Sequence, residues 1–191
     1  MSLSRFRHIF LILFLLALQL IAAAEAQSRV SYSEEQVKAV FLLNVTHFVT
    51  WPDSERSYQE EPFTFCVLGN TRFADELVAV LKGELFFSSR PIVVVVDDPL
   101  QLPPCDLLYI DKDVDLKVDE IVDQVGSLSV LTVGDDAEFS RKGGAVTLEL
   151  RGSRIKLHVN VDAVRRHGLQ VSSKLLQIAK VVGDSSKREG K

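Results

Sequence analysis

The sequence predicts an α/β fold, a mainly parallel sheet with helices on both faces and a C-terminal β-hairpin at the sheet edge. Three observations predict it. Between residues 63 and 134, continuous apolar runs alternate with segments of helical period, the pattern of parallel strands covered on both sides. One of those runs, Ile92–Val96, is five consecutive β-branched residues, which predicts a strand buried on both faces. After Gly134 the rhythm changes. Residues 145–150 and 155–159 alternate in part and flank the short link Arg151-Gly152-Ser153-Arg154, which predicts a hairpin.

Each element follows from local signals. Ser33-Glu34-Glu35-Gln36 is a capping box, since Ser stands at the cap and Gln three residues on. Val37, Val40, Phe41, Asn44, Val45 and Phe48 then recur at helical spacing, and Trp51-Pro52 ends that helix. Residues 54–61 are polar and predict a surface loop. Residues 63–68 are a buried strand stopped by Gly69. Asn70 or Thr71 caps a helix with Phe73, Leu77, Val80 and Leu81 on one face. Residues 107–110 form a strand, 114–125 a helix with Leu116, Ile121 and Val125 inward, and 130–133 a strand closed by Gly134. Beyond the hairpin, Asn160 caps a short helix ended by Gly168. Ser172 or Ser173 caps a last one carrying Leu175, Leu176, Ala179 and Val182.

The first residues set the compartment. Arg5 and Arg7 form a basic head, residues 9–24 are apolar apart from Gln19, and Ala24-Glu25-Ala26 is a small-x-small site before Gln27. This is the layout of a secretory signal peptide cut between Ala26 and Gln27. The apolar run falls short of the roughly 20 residues that span a bilayer. The expected organisation is a signal peptide over 1–26, one domain over 27–183 and a disordered tail over 184–191. The mature chain then works in the periplasm, away from ATP, NADH and the genome. Its formal charge moves from −4 to −5 with the loss of Arg5, Arg7 and Glu25, and it has no basic stripe, so nucleic acid is not an expected partner. No second apolar run approaches membrane length, so no membrane insertion is expected after cleavage. The two cysteines of an exported chain, Cys66 and Cys105, are expected to form a disulfide.

No catalytic, cofactor or metal site emerges. His47, His158 and His167 fall singly, no H-x-x-x-H or H-E-x-x-H occurs, and no G-x-S-x-G elbow is present. Asp97-Asp98, Asp111-Lys112-Asp113 and Asp135-Asp136 each follow a predicted strand, where ligands gather in parallel sheets. Asp is equally at home there as a turn or capping residue, and that reading is the better one. Gly69-Asn70-Thr71 could offer N–H groups to an anion but lacks the further glycines of a dinucleotide site. Asn44, Trp51-Pro52, Gly143-Gly144, Asn160 and Ser172-Ser173-Lys174-Leu175-Leu176 have no chemical rationale. Each has a structural one, as a cap, a turn or a buried hydrogen bond.

Those stretches, in order, carry a resemblance. The segment Phe41-Leu42-Leu43-Asn44-Val45-Thr46-His47-Phe48-Val49-Thr50-Trp51-Pro52 resembles the first-helix signature of the YfiR family. The resemblance continues through Phe63-Thr64-Phe65-Cys66-Val67-Leu68-Gly69 and Leu131-Thr132-Val133-Gly134-Asp135. It is strongest from Arg141-Lys142-Gly143-Gly144 through Asn160, Ala163, Gly168-Leu169 and the Ser172 segment. Val45 and His47 stand where the family tends to have Phe or Ala and Lys. The resemblance implies a periplasmic protein that acts by binding, is not an enzyme and needs no cofactor. Its best-known member is dimeric, holds the periplasmic domain of an inner-membrane diguanylate cyclase inactive, and so lowers cyclic-di-GMP, exopolysaccharide and biofilm. That member has a second cysteine pair near the hairpin. This chain has none, so redox switching by such a pair does not carry over.

The expected partner is therefore an inner-membrane signalling protein, met through the C-terminal hairpin and the helices after it. Arg151, Arg154, Arg165 and Arg166 are the candidate contact residues, because an edge hairpin offers backbone groups and charge to another protein. The alternative is a periplasmic small-ligand-binding sensory module using the crevice beyond the strand ends. A hydrolase with an unseen site is a third reading.

Overall fold

A computed structural model of the protein describes residues 32–52, 61–114, 117–126, 128–152 and 154–183. The expected leader with its Ala26-Gln27 cleavage point, nearly all of the expected 54–61 loop, and the expected tail lie outside the described residues. The elements in chain order are α1 (Glu34–Thr46), β1 (Val49–Thr50), β2 (Thr64–Leu68), α2 (Thr71–Val80), β3 (Ile92–Val96), a single 3-10 turn (Pro99–Gln101), β4 (Leu107–Ile110), α3 (Val118–Val125) and β5 (Leu131–Gly134). Then come β6 (Val146–Arg151), β7 (Arg154–Asn160), α4 (Val161–Arg166), β8 (Gln170–Val171), α5 (Ser173–Ile178) and β9 (Lys180–Val182).

The fold is the predicted α/β class. Seven strands form one sheet in the order β3-β2-β4-β5-β6-β7-β9. All neighbours are parallel except β6 and β7, the hairpin, which pair antiparallel with Arg151 opposite Arg154. The hairpin stands at the predicted end of the sheet, with the short β9 added outside it. Alternate residues feed two cores. Phe65, Val67, Leu107, Tyr109, Leu148 and Val159 face α1, α2 and α4 on one side. Cys66, Leu68, Leu108 and Ile110 face Ile121 and Val125 of α3, together with Phe139, on the other.

The capping signals act as read. Ser33 and Gln36 close a reciprocal capping box, Asn70 accepts from the Phe73 N–H, Asn160 from Ala163, and Ser172 from Leu175. The disulfide joins Cys66 of β2 to Cys105, just ahead of β4, with Cα atoms 5.9 Å apart. The two strands are neighbours, so the bond staples adjacent N-terminal ends.

Four expectations are corrected. The helix assigned up to Trp51 stops at Thr46, because Val49–Thr50 leaves it to pair with Gln170–Val171 as a two-stranded ribbon. Its buried face is Lys38, Ala39, Leu42, Val45 and Thr46, whereas Val40 and Phe41 are exposed. Hydropathy favoured the wrong stripe because Lys38 is buried against a distant carboxylate. Strand β3 is not covered on both faces: it is the outer edge of the sheet, and Ile92 and Val95 are exposed. Finally, the last helix ends at Ile178, and Lys180–Val182, expected to continue it, is a strand on β7. The β-branched pair Val181-Val182 suits that role.

Candidate functional site

At the carboxyl ends of the parallel strands, where α/β folds gather ligands, stand Asn70 after β2, Asp111 after β4 and Asp135 after β5. All are committed to structure. Asp111 takes a hydrogen bond from Asn70 Nδ2 at 2.6 Å and from the Asp113 N–H at 2.9 Å. Asp135 takes one from the Lys112 N–H at 2.6 Å and one from Lys38 Nζ at 2.5 Å. Lys38 reaches down from α1 with its side chain 5% exposed and also pairs with Glu34 one turn earlier. Burial pulls the Lys38 pKa down, but Asp135 and Glu34 outweigh it and leave it above the ordinary lysine value. Glu34 is held below the ordinary carboxylate value by its bond to Lys38.

Tyr109 lies beneath this network, stacked on Phe73 with ring centroids 3.9 Å apart. Its hydroxyl is buried without a hydrogen-bond partner among the described residues. Burial, then the charges of Asp135 and Asp111, push its pKa far up, so the phenol stays protonated. A neutral phenol beside carboxylates already engaged offers neither a nucleophile nor a base. The other acidic pairs serve turns: Asp136 accepts from the Glu138 N–H, and Asp98 from Gln101. Among the described residues no group of three His, Cys, Asp or Glu is placed to hold a metal ion.

Two clefts flank the sheet. One of about 400 Å³ lies at the carboxyl ends of β2 and β3, against Gly69, Asn70, Thr71, Val96, Asp97 and Pro99. The anion reading of Gly69-Asn70-Thr71 is weakened there, because the Asn70 side chain occupies the Phe73 N–H. The other, about 520 Å³, lies at the opposite strand ends beside Cys105, with Leu102, Pro103, Pro104 and Val125 in its wall. It is bounded by Pro52 and Glu61, on either side of a segment outside the described residues.

The C-terminal hairpin does not gather the four candidate arginines. Arg151 and Arg154 face each other at its tip, and Arg151 pairs with Glu149 at 2.5 Å. Arg165 and Arg166 lie in the last turn of α4, and Arg166 donates to the Gly143 carbonyl at 3.2 Å. Gly143 precedes β6, at the end away from the tip. At about 3.3 Å per residue, a six-residue strand separates the two pairs by roughly 17–20 Å.

The outer face of the hairpin carries Thr147, Glu149, Lys156 and His158, and the turn before β6 covers part of it. Ser140 bonds to Thr147 through its N–H and, at 2.5 Å, through its hydroxyl. Asn160 donates to the Ser140 carbonyl at 2.7 Å while capping α4. Phe139 fits between Gly134 and Gly144, where a Cβ on either glycine would overlap its ring. His158 is mostly buried, and burial, against the pull of Glu149, lowers its pKa.

The unexplained stretches are thus fastenings. Gly143-Gly144 and Asn160 lock the turn to the hairpin. Trp51 donates to the Asp106 carbonyl at 3.2 Å, Asn44 to the Val40 carbonyl of its own helix, and Ser172 caps α5. The profile of the YfiR/HmsC-like family matches residues 35–180. The chain belongs to the YfiR/HmsC-like family. The match runs from the first turn of α1 to the first residue of β9. At the level of that family the protein is a periplasmic regulator in diguanylate cyclase signalling. No helix among the described residues is long and apolar enough to cross a membrane. Sequence reasoning overlooked Lys38 and the bare β3 edge. A lysine at a position in phase with Leu42 and Val45 was the available signal for the first. The second depends on strand order, which composition does not encode.

Proposed function

We propose that this YfiR/HmsC-like protein is exported, cleaved before Gln27, and represses an inner-membrane diguanylate cyclase by binding its periplasmic domain. It thereby lowers cyclic-di-GMP and biofilm formation. The observation that carries the reading is the family match across residues 35–180, from the first turn of α1 to the first residue of β9. The carboxyl-end groups, spent on caps, turns and the Lys38–Asp135 pair, are consistent with binding rather than turnover. The contact surface we favour is the hairpin tip with Arg151 and Arg154, whose charges suit orientation and association rate. Arg165 and Arg166 stand apart from it and are secondary candidates.

The test has two arms. Deleting the gene should raise cyclic-di-GMP and biofilm, and no change in either overturns the repressor reading. Complementation with Arg151→Glu/Arg154→Glu protein, folded like the wild type by circular dichroism, should fail to restore repression. Full restoration would move the contact surface elsewhere and leave the function standing. Intact mass of the exported protein should begin at Gln27. The small-ligand reading draws on the 400 Å³ cleft at Gly69–Thr71. A ligand at 100 times its Kd would add about 2.7 kcal/mol to stability, visible as a higher Tm.

A further inference from the structure

The second face of the sheet is covered unevenly. Phe139 and α3 share a core there with β2 and β4, but among the described residues none of β6, β7 or β9 enters it. Apart from the turn at Ser140, the outer side of the hairpin is bare. The register sets Arg151 opposite Arg154, Glu149 opposite Lys156, and Lys180 of β9 beside His158, two residues from Lys156. Side chains two apart on a strand share a face, so Arg151, Arg154, Lys156 and Lys180 project from one side of the sheet. All four are exposed. Glu149, the carboxylate among them, is buried and bound to Arg151. Arg154, Lys156 and Lys180 pair with no carboxylate among the described residues. In a chain of formal charge −4, this face carries one sign. Lysine on an edge strand guards against strand pairing, which accounts for Lys180. It does not account for Arg154 and Lys156, because β7 is enclosed by β6 and β9.

The rim of this face is apolar. Ile178 is 72% and Val181 54% exposed, on either side of Lys180 at the free edge of the sheet. We propose that the basic face and its rim make a peripheral contact with an anionic phospholipid surface. Lys156 and Lys180 meet the headgroup phosphates, with their stems lying along the sheet. Ile178 and Val181 enter the boundary between headgroups and acyl chains. The rim is what selects a lipid surface over a soluble polyanion, which would satisfy the cations and leave both apolar side chains in water. The contact is weak and reversible, since each basic residue strengthens binding to anionic lipid only about fivefold. It goes beyond the cyclase reading and does not rest on it. Arg151 and Arg154 lie at one end of the face, so the partner contact proposed above adjoins the lipid. A protein held in this way searches a plane rather than a volume.

Co-sedimentation of the purified exported protein with vesicles tests this. Phosphatidylglycerol vesicles should bind it and phosphatidylcholine vesicles should not. Binding should fall steeply from about 0.05 to 0.5 M salt. Lys156→Gln/Lys180→Gln should lower the partition coefficient about thirtyfold, fivefold for each charge. The control Lys82→Gln/Lys117→Gln removes two exposed charges away from this face and should change it less than twofold. Ile178→Ser/Val181→Ser should lower it about tenfold or more and abolish the binding that survives at high salt. Circular dichroism confirms that each variant is folded. No binding to phosphatidylglycerol overturns the proposal. So does binding indifferent to Lys156 and Lys180, equal loss in the control, or equal binding to both lipids. Capture by soluble heparin that is as strong as capture by vesicles, and as indifferent to Ile178 and Val181, also overturns it in favour of a polyanion. No cyclase is present in these measurements, so their failure leaves repression standing, and a failure of repression leaves them standing.

Discussion

Replacing Lys38 with Met removes one charge while keeping a long, unbranched side chain in the same slot. The wild-type ammonium lies between Asp135, whose side chain is 1% exposed, and Glu34, which is 40% exposed. After the change Asp135 keeps the Lys112 N–H. Removing one member of a buried pair leaves an uncompensated charge and costs about 3–5 kcal/mol. Total stability is about 5–15 kcal/mol, so the loss is large. A chain of this size loses about 2–4 °C of Tm per kcal/mol, which predicts a fall of roughly 6–20 °C. Asp135→Asn should cost less, because Lys38 retains the half-exposed Glu34 and Asn can still accept from Lys112. Urea titrations of both single variants and the double variant give the coupling, expected at or above about 1 kcal/mol. It should hardly change in 0.5 M salt, since burial shields the pair from screening. The pair also has a pH signature. The Lys38 pKa is raised on folding, so its contribution is complete below the ordinary lysine value and fades as pH climbs through the folded value. Lys38→Met should flatten that alkaline loss. A cost below about 1 kcal/mol, the range of a surface pair, or strictly additive variants would refute the reasoning.

Removing the Cys66–Cys105 bond by Ala substitution should cost about 4 kcal/mol, from a sequence separation of 39 residues, as read from urea midpoints. Asn160→Ala should cost about 2–4 kcal/mol, combining a lost cap with a stranded Ser140 carbonyl, and Asn160→Asp should recover the cap alone. Gly144→Ala should cost about 1–3 kcal/mol, and adding Phe139→Leu should recover part of it by freeing the ring's space. The pKa values of His158 and His167 are lowered by burial, so stability is full above the ordinary histidine value and falls as pH drops below about 6.5. Stability measured from pH 7.5 to 5 should lose that slope in the His158→Gln/His167→Gln variant.

The parts of this fold legible in the sequence are those decided within a few residues. Ser33, Asn70, Asn160 and Ser172 cap helices through bonds that span three positions, and a local reading finds them. The core strands declare themselves as apolar runs, and the hairpin by its glycine link. What the sequence concealed depends on distant partners. Lys38 is buried because Asp135 stands 97 residues away, so periodicity alone assigned the exposed stripe of Val40 and Phe41 to the core. Ile92–Val96 has the composition of a central strand and the position of an edge one. The two-residue strands β1 and β8 are too short to show any period. The candidate arginines were grouped by sequence nearness, yet a strand's length divides them.

The ribbon of β1 and β8 has a consequence for how the chain comes into being. Val49 is paired with Val171, so one fastening at the exit from α1 comes from residues made far along the chain. Helix α1 also touches β6, beside its larger contact with α2. Most of the sheet and the packing of α1 on α2 can form from near neighbours, but the β1–β8 ribbon must wait for the last third. Contacts so widely spaced in sequence slow folding. The native structure therefore locks only when residues 170–171 reach Val49 and Thr50.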